Sequence, residues 1–185
     1  IQEILKGNRN LFKIFVETYQ QMVFRTCMGF LHDKEDAEDL AQNVFIQAYQ
    51  ALSKFKGESS FSTWIYRITI NASLNKVRKT SKGFLLQRFD SVFSTEKDKT
   101  FEIPVPENEN PENLLIREEH REWVKNALNK LPDNQRTAII LSKYDELSQK
   151  EIAEIMNTTE GAIEALLQRA KANLREKLIS LKKKD

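Results

Sequence analysis

The sequence predicts an all-α protein made of two small helical domains joined by a flexible linker. Three observations carry this prediction. Apolar residues recur at three-and-four spacing through most of the 185 residues, which is the signature of helices with one buried face. Only four prolines and five glycines interrupt the chain, and three of the prolines, Pro104, Pro106 and Pro111, fall together in a polar stretch without periodicity. Near the C-terminus two amphipathic segments meet at a short turn bearing helix stop and start signals.

The first helix carries Phe12, Phe15, Val16, Tyr19, Met22, Val23 and Cys27 at helical spacing, with Gly29 near its expected end. The next is entered from Asp33 or Lys34 and buries Ala37, Leu40, Ala41, Val44, Phe45, Ala48 and Leu52. Gly57 to Ser60 breaks the pattern. A third helix spans about Ser62 to Lys79, with Trp64, Ile65, Ile68, Ala72 and Leu74 or Val77 inward. From about Gly83 to Asn113 no period survives, and Glu, Asn, Asp and Thr surround the prolines, as in a linker. These boundaries divide the chain into a domain at 1–84, a linker at 85–113 and a domain at 114–185. The second domain opens with Trp123, Val124, Ala127, Leu128 and Leu131 on one helix, stopped at Pro132, and continues through Ile140, Leu141 and Tyr144 on another.

The final pair can be argued atom by atom. Ser148 with Glu151 forms a capping box, and Leu147 with Ile152 a hydrophobic staple, so a helix starts at Gln149. Asn157, which tolerates positive φ, ends it, and Thr159 caps a last helix whose inner row is Ile163, Leu166, Leu167, Ala170, Leu174 and Leu178. Its outer surface holds Glu160, Glu164, Ala165, Gln168, Arg169 and Lys171. Two helices in this layout are how a small domain enters a DNA groove. Arg169 can bond guanine bidentately, Gln168 can read adenine, and Glu164 can accept from a cytosine amine. The plainer reading is an ordinary solvated basic surface.

The formal net charge of +2 conceals segregation by sign. Asp33, Glu35, Asp36, Glu38 and Asp39 face only Lys34, whereas from Lys54 to Arg88 eight lysines and arginines meet one acid, Glu58. Asp90 to Glu122 is acidic again, and the C-terminus is basic. Such blocks imply more than one kind of partner. Opposite the buried row of the second helix lie Asp39, Gln42, Asn43 and Ile46, bordered by Glu38: a polar, acidic surface with an apolar centre, suited to another protein. The basic stretch suits single-stranded DNA, with Arg67, Asn71, Lys76, Arg78 and Lys79 as its contacts; Trp64 is read as core rather than as a stacking platform.

Enzymatic chemistry finds no support. His32 and His120 are isolated, and neither a Cys/His metal cluster, a glycine-rich phosphate loop nor a nucleophile beside a base is visible, so no catalytic residue, metal or cofactor is expected. Cys27 is the single cysteine, reads as core, and suits a reducing cytosol. No apolar run approaches the roughly 20 residues a bilayer span requires and no secretory segment is visible, so a cytoplasmic protein without membrane insertion is expected.

The stretches DAEDLAQNVFIQAYQALSKFKGESSFSTWIYRITINASLNKVRK, LPDNQRTAIILSKYDELSQKEIAEIM and GAIEALLQRAKANLREKL resemble bacterial RNA polymerase sigma factors of the sigma-70 family, extracytoplasmic-function group. The resemblance covers nearly the whole chain outside the linker. It implies a region 2 helical bundle that binds core RNA polymerase and the minus-10 promoter element, and a region 4 helix-turn-helix that binds the minus-35 element. It further implies that Glu38, Asp39, Gln42, Asn43 and Ile46 meet the clamp helices of the largest polymerase subunit. Arg67, Asn71, Lys76, Arg78 and Lys79 would then lie along the minus-10 strand, and Glu160 to Lys171 along minus-35 duplex. The family often has Glu at the position of Asn43, a basic residue at Glu164 and Ser at Ala165, so base preference is expected to differ here. An anti-sigma protein is an implied partner. The acidic linker would either enter basic polymerase channels or stay a solvated connector. The rival class is a self-sufficient helix-turn-helix regulator, bound to duplex DNA as a dimer without polymerase.

Overall fold

The structure, a computed structural model, describes residues 2–5, 9–90 and 122–182. A short α1 (Gln2–Leu5) precedes α2 (Arg9–Leu31) and α3 (Lys34–Ala51). After a 3-10 turn at Leu52–Lys54 comes α4 (Phe61–Asp90). A helical stretch at 122–129, here α5, is followed by α6 (Asp133–Lys143), α7 (Gln149–Met156) and α8 (Glu160–Lys182). The described residues are helical with short connections, in agreement with the expected class. Among them no helix is long and apolar enough to cross a membrane.

The local signals act as read. Asp33 caps α3, its carboxylate accepting from the Asp36 amide at 2.8 Å. Ser148 and Glu151 close their capping box, Asn157 ends α7 at φ 52, and the Thr159 hydroxyl accepts the Ala162 amide at 3.2 Å to start α8. Two boundaries differ from expectation. Gly29 lies inside α2, which instead stops at His32 in the left-handed region (φ 56). The backbone of α4 continues through Gly83 to Asp90, where a linker was expected; no proline interrupts Phe84 to Arg88, and Leu85, Leu86, Gln87 and Arg88 are good helix formers. The remainder of the expected linker, 91–113, and the start of the second domain at Leu114 lie outside the described residues, as does His120.

Helices α2, α3 and α4 enclose one apolar cluster around Val23, Cys27, Ala37, Val44, Ala48 and Ile65. Cys27 is fully buried and its thiol is pushed up to about 11 by that burial, so it is a core residue and not a nucleophile. Trp64 sits in an aromatic group with Phe55 and Phe61, at ring separations of 5.2 and 5.3 Å. The second cluster contains Leu128, Leu131, Ile139, Ile140, Leu141, Ile152, Ile163 and Ala170 from the C-terminal helices, and also Phe30, Tyr66, Ile70 and Val77 from α2 and α4. The two halves therefore share a core. At Gly29 an added Cβ would meet Ile140 Cγ2 at 2.8 Å and the Tyr144 ring at 3.1 Å, so the absent side chain lets α2 approach α6.

His32 lies beside this contact, its Nδ1 3.5 Å from the Tyr144 hydroxyl and its Nε2 buried without a protein partner. Burial lowers its pKa from 6.5 to about 4. The unfolded chain thus binds a proton that the folded chain refuses, so this contribution to stability is present above pH 6.5 and lost as the pH falls toward 4. His32→Asn, which also suits a positive φ, is expected to flatten the stability profile across that window. Urea midpoints at pH 4.5 and 7.5 for both proteins check this; an unchanged difference between them would exclude His32 as its source.

Candidate nucleic-acid and protein interfaces

Three surfaces gather most of the residues singled out from the sequence. On α3, Glu38, Asp39, Gln42, Asn43 and Ile46 are all exposed, while Ala37, Leu40, Ala41, Val44, Phe45 and Ala48 turn inward. The carboxylates rim an apolar centre at Ile46, which is 54% exposed. Beside Ile46 a shallow apolar depression is lined by Phe12, Phe45, Tyr49 and Gln50. Such an edge of charge around a small apolar patch fits a protein partner, because phosphate would be repelled and a flat hydrophobic strip can be covered. Phe12 and Tyr49, whose rings pack at 5.0 Å, border this depression without a distinct signal in the sequence, where Phe12 reads as core although its ring is only half-buried.

On α4, Arg67, Asn71 and Arg78 share one side of the helix at spacings of four and seven residues, with Lys79 exposed at its flank. Lys76 does not share it. It points toward α3 and pairs with Asp36 at 2.7 Å, so the structure separates it from the other contacts. Tyr66 is buried at 6% exposure in the second core, so its ring is not a stacking platform for bases in this arrangement.

Arg67 and Arg78 already have partners. Arg67 donates from Nε to the Ile155 carbonyl at 3.0 Å and from Nη2 to the Glu154 carbonyl at 2.8 Å, at the C-terminal end of α7 where carbonyls lack helical donors. Arg78 pairs with Asp133, the first residue of α6.

Among the described residues, nothing covers the outer surface of the α7–turn–α8 unit. Glu160, Glu164, Gln168, Arg169 and Lys171 are exposed and Ala165 half-buried, around a core row of Ile163, Leu167 and Ala170. Gln168 and Glu164 approach at 3.4 Å across one turn. These groups project from one exposed side of α8, and the side chain of Ala165 beside them is short.

Two further polar groups had no signal in the sequence. Arg136 is 5% exposed and donates to the carbonyls of Leu128, Asn129 and Leu131, closing the end of α5. Asp145 has a fully buried side chain whose two oxygens accept from Arg25 Nε at 3.0 Å and from the Thr26 hydroxyl at 2.8 Å. Burial pushes the Asp145 carboxyl up, against which Thr26 and Arg25 pull it down.

Comparison with known proteins gives a consistent picture across the chain. The family description Sigma-70 region 2 matches residues 15–83, and Sigma-70, region 4 matches residues 121–174. The chain is 33% identical over 181 residues to the ECF RNA polymerase sigma factor SigW of Bacillus subtilis, covering 98% of this chain and 96% of that one. It is 33% identical over 184 residues to the ECF RNA polymerase sigma-E factor of Escherichia coli, covering 96% and 92%. Among solved structures it resembles the sigma factor RpoE in complex with the anti-sigma factor NepR from Bartonella quintana, with a TM-score of 0.58, 25% identity and coverage of 90% and 96%. CnrH in complex with the cytosolic domain of CnrY shares the fold, with a TM-score of 0.60 and 22% identity over 95% of this chain and 92% of that one.

Proposed function

The chain belongs to the extracytoplasmic-function sigma factors of RNA polymerase, and from that premise we propose which of its surfaces performs each task of promoter-specific initiation. As a sigma factor it binds core RNA polymerase and promoter DNA and directs where transcription starts. The exposed face of α3, centred on Asp39, Gln42 and Ile46 with Glu38 and Asn43 around it, docks on the polymerase. Arg67, Asn71, Arg78 and Lys79 of α4 run along the minus-10 strand, and Lys76 helps through its hold on α3. The outer face of α8 enters the major groove of the minus-35 element, where Arg169, Gln168 and Glu164 meet base edges and Lys171 a phosphate.

The observation that carries this reading is the α7–turn–α8 unit itself: a capped helix, a left-handed Asn157 and a second helix with an exposed polar face, in a chain whose other half presents a separate exposed, acidic helical face on α3. The domain limits we adopt are 1–84 and 114–185 around the connector at 85–113. A cytoplasmic location follows from the proposed polymerase partnership, an anti-sigma protein is a further proposed partner, and the reading assigns no catalytic residue or cofactor. The rival, a dimeric helix-turn-helix regulator, fits less well, since the relationship to sigma factors spans both halves and not the turn motif alone.

In vitro transcription with purified core on a promoter library tests the assignment. Wild-type protein is expected to select a subset of promoters, and Arg169→Ala to lose discrimination at one minus-35 position by about 1–3 kcal/mol. Equal loss on every sequence would make Arg169 a phosphate contact; specific occupation of palindromic duplex without core would favour the rival.

A further inference from the structure

Glu164 and Gln168 stand on successive turns of α8, both exposed, and Gln168 Nε2 donates to Glu164 Oε1 at 3.4 Å. A spacing of four residues places one above the other, and helical side chains lean back toward the N-terminus, so the Gln168 amide lies over the turn that carries Glu164. The same row begins at Glu160 in the first turn, the end by which such a helix approaches base edges. A carboxylate only accepts hydrogen bonds, so the nitrogen of the amide, and not its oxygen, must face Glu164. That settles a choice which a free glutamine leaves open. The two ends of a primary amide are nearly alike in shape, and a half-turn about its last bond exchanges donor for acceptor.

We infer that Glu164 is a positioning residue for Gln168: its carboxylate holds the amide in one of its two orientations and thereby restricts the base that Gln168 reads to adenine. The inference rests on the reading of α8 given above. With the N–H that points away from the amide oxygen given to Glu164, the other N–H and the oxygen form one free edge. That edge matches adenine, the oxygen accepting from N6 and the N–H donating to N7. Turned the other way, the amide would offer its N–H groups to the acceptors of guanine or thymine. Glu164 opposes this orientation, because it would set the amide oxygen against a carboxylate oxygen, two acceptors with no hydrogen between them. In a DNA groove, where water is displaced, that opposition grows, since little solvent remains to bridge the pair. Only one carboxylate oxygen is used in this way. The other is left for the cytosine amine, so the two residues read neighbouring bases as one unit.

Transcription in vitro with the full chain and purified core, on promoters randomised across the minus-35 element, reads base preference position by position. Gln168→Ala identifies the position that Gln168 reads, where the preference for adenine is expected to fall about tenfold or more. Glu164→Ala is expected to lower adenine preference at that same position by about threefold or more, with guanine and thymine gaining. Glu164→Gln is expected to restore it, because glutamine keeps an oxygen that can accept from Gln168. Both substitutions at Glu164 remove one negative charge near the phosphates, so any uniform rise in affinity is common to them and cancels in the ratio between bases. In the Gln168→Ala background, Glu164→Ala is expected to change nothing further at that position. Thermal unfolding is expected to stay at the wild-type value, since both side chains are exposed. Adenine preference that survives Glu164→Ala, or that Glu164→Gln fails to restore, overturns the positioning role and leaves Gln168 an independent reader. A wild-type preference for guanine or thymine there overturns it as well. If Gln168→Ala alters no position, the assignment of Gln168 to a base falls, and the positioning role falls with it.

Discussion

Replacing Arg136 with methionine is expected to destabilise the C-terminal half by on the order of 3 kcal/mol, the largest effect of any single substitution considered. Arg136 is 5% exposed, and its guanidinium donates to the carbonyls of Leu128 at 3.0 Å and Leu131 at 3.3 Å, together with that of Asn129. Methionine fills comparable space but takes the side-chain donor from the carbonyls of Asn129 and Leu131 at the end of α5, while that of Leu128 keeps the Leu131 amide at 3.0 Å. Each buried orphan costs about 1–3 kcal/mol, offset in part because the burial that lowers the Arg136 pKa no longer opposes a charge. Lysine is not a substitute, since one ammonium cannot span three carbonyls as the planar fork does. For a chain of this size the loss corresponds to a fall in melting temperature of roughly 6–12 °C. Urea unfolding with an unchanged slope and a lowered midpoint checks it; a loss below about 1 kcal/mol would mean that water replaces the guanidinium at no great cost.

Reversing charge at Asp39 is expected to weaken binding to core polymerase by about tenfold to a hundredfold, or about 1.4–2.8 kcal/mol, while thermal unfolding stays at the wild-type value. The side chain of Asp39 is exposed and caps no helix, so the fold has little at stake there. It stands among Glu38, Gln42 and Asn43 around Ile46, where an arginine would put a cation into a surface whose partner must carry the opposite sign. Titration of labelled Asp39→Arg protein with purified core gives the affinity, and one equal to wild type would take α3 out of the interface. Effects on rate and on salt dependence should accompany the loss, since charges at such a rim steer the encounter.

The elements were legible wherever their causes lie within four residues. The Asp33 cap, the Ser148–Glu151 box, the left-handed Asn157 and the Thr159 cap are bonds between near neighbours, and each could be assigned from residue type and spacing. The exposed row of α3 was legible for the same reason: once the buried positions are set by periodicity, the opposite face follows from helix geometry. The run of α4 past Gly83 has a local cause in its helix formers, but at two other places a distant contact intervened. Gly29 reads as a helix end by residue type, yet it serves a close approach to Ile140, and the helix continues to the left-handed His32. Lys76 belongs by composition to the basic stretch, yet Asp36 of α3 draws it to another side.

The sequence by itself determined the helical class, the caps, the buried and exposed faces of α3 and α8, and the family to which the chain belongs. Only the tertiary structure decided that the two halves share a core, that Asp145 is buried against Arg25 and Thr26, 120 and 119 residues away, and that Arg67 and Arg78 are already engaged. The physical reason is one of range. Backbone geometry and capping repeat every few residues and leave a periodic trace in the chain, whereas a seam between halves depends on which surfaces meet in space, and a lone aspartate in a connection carries no mark of the arginine it will find.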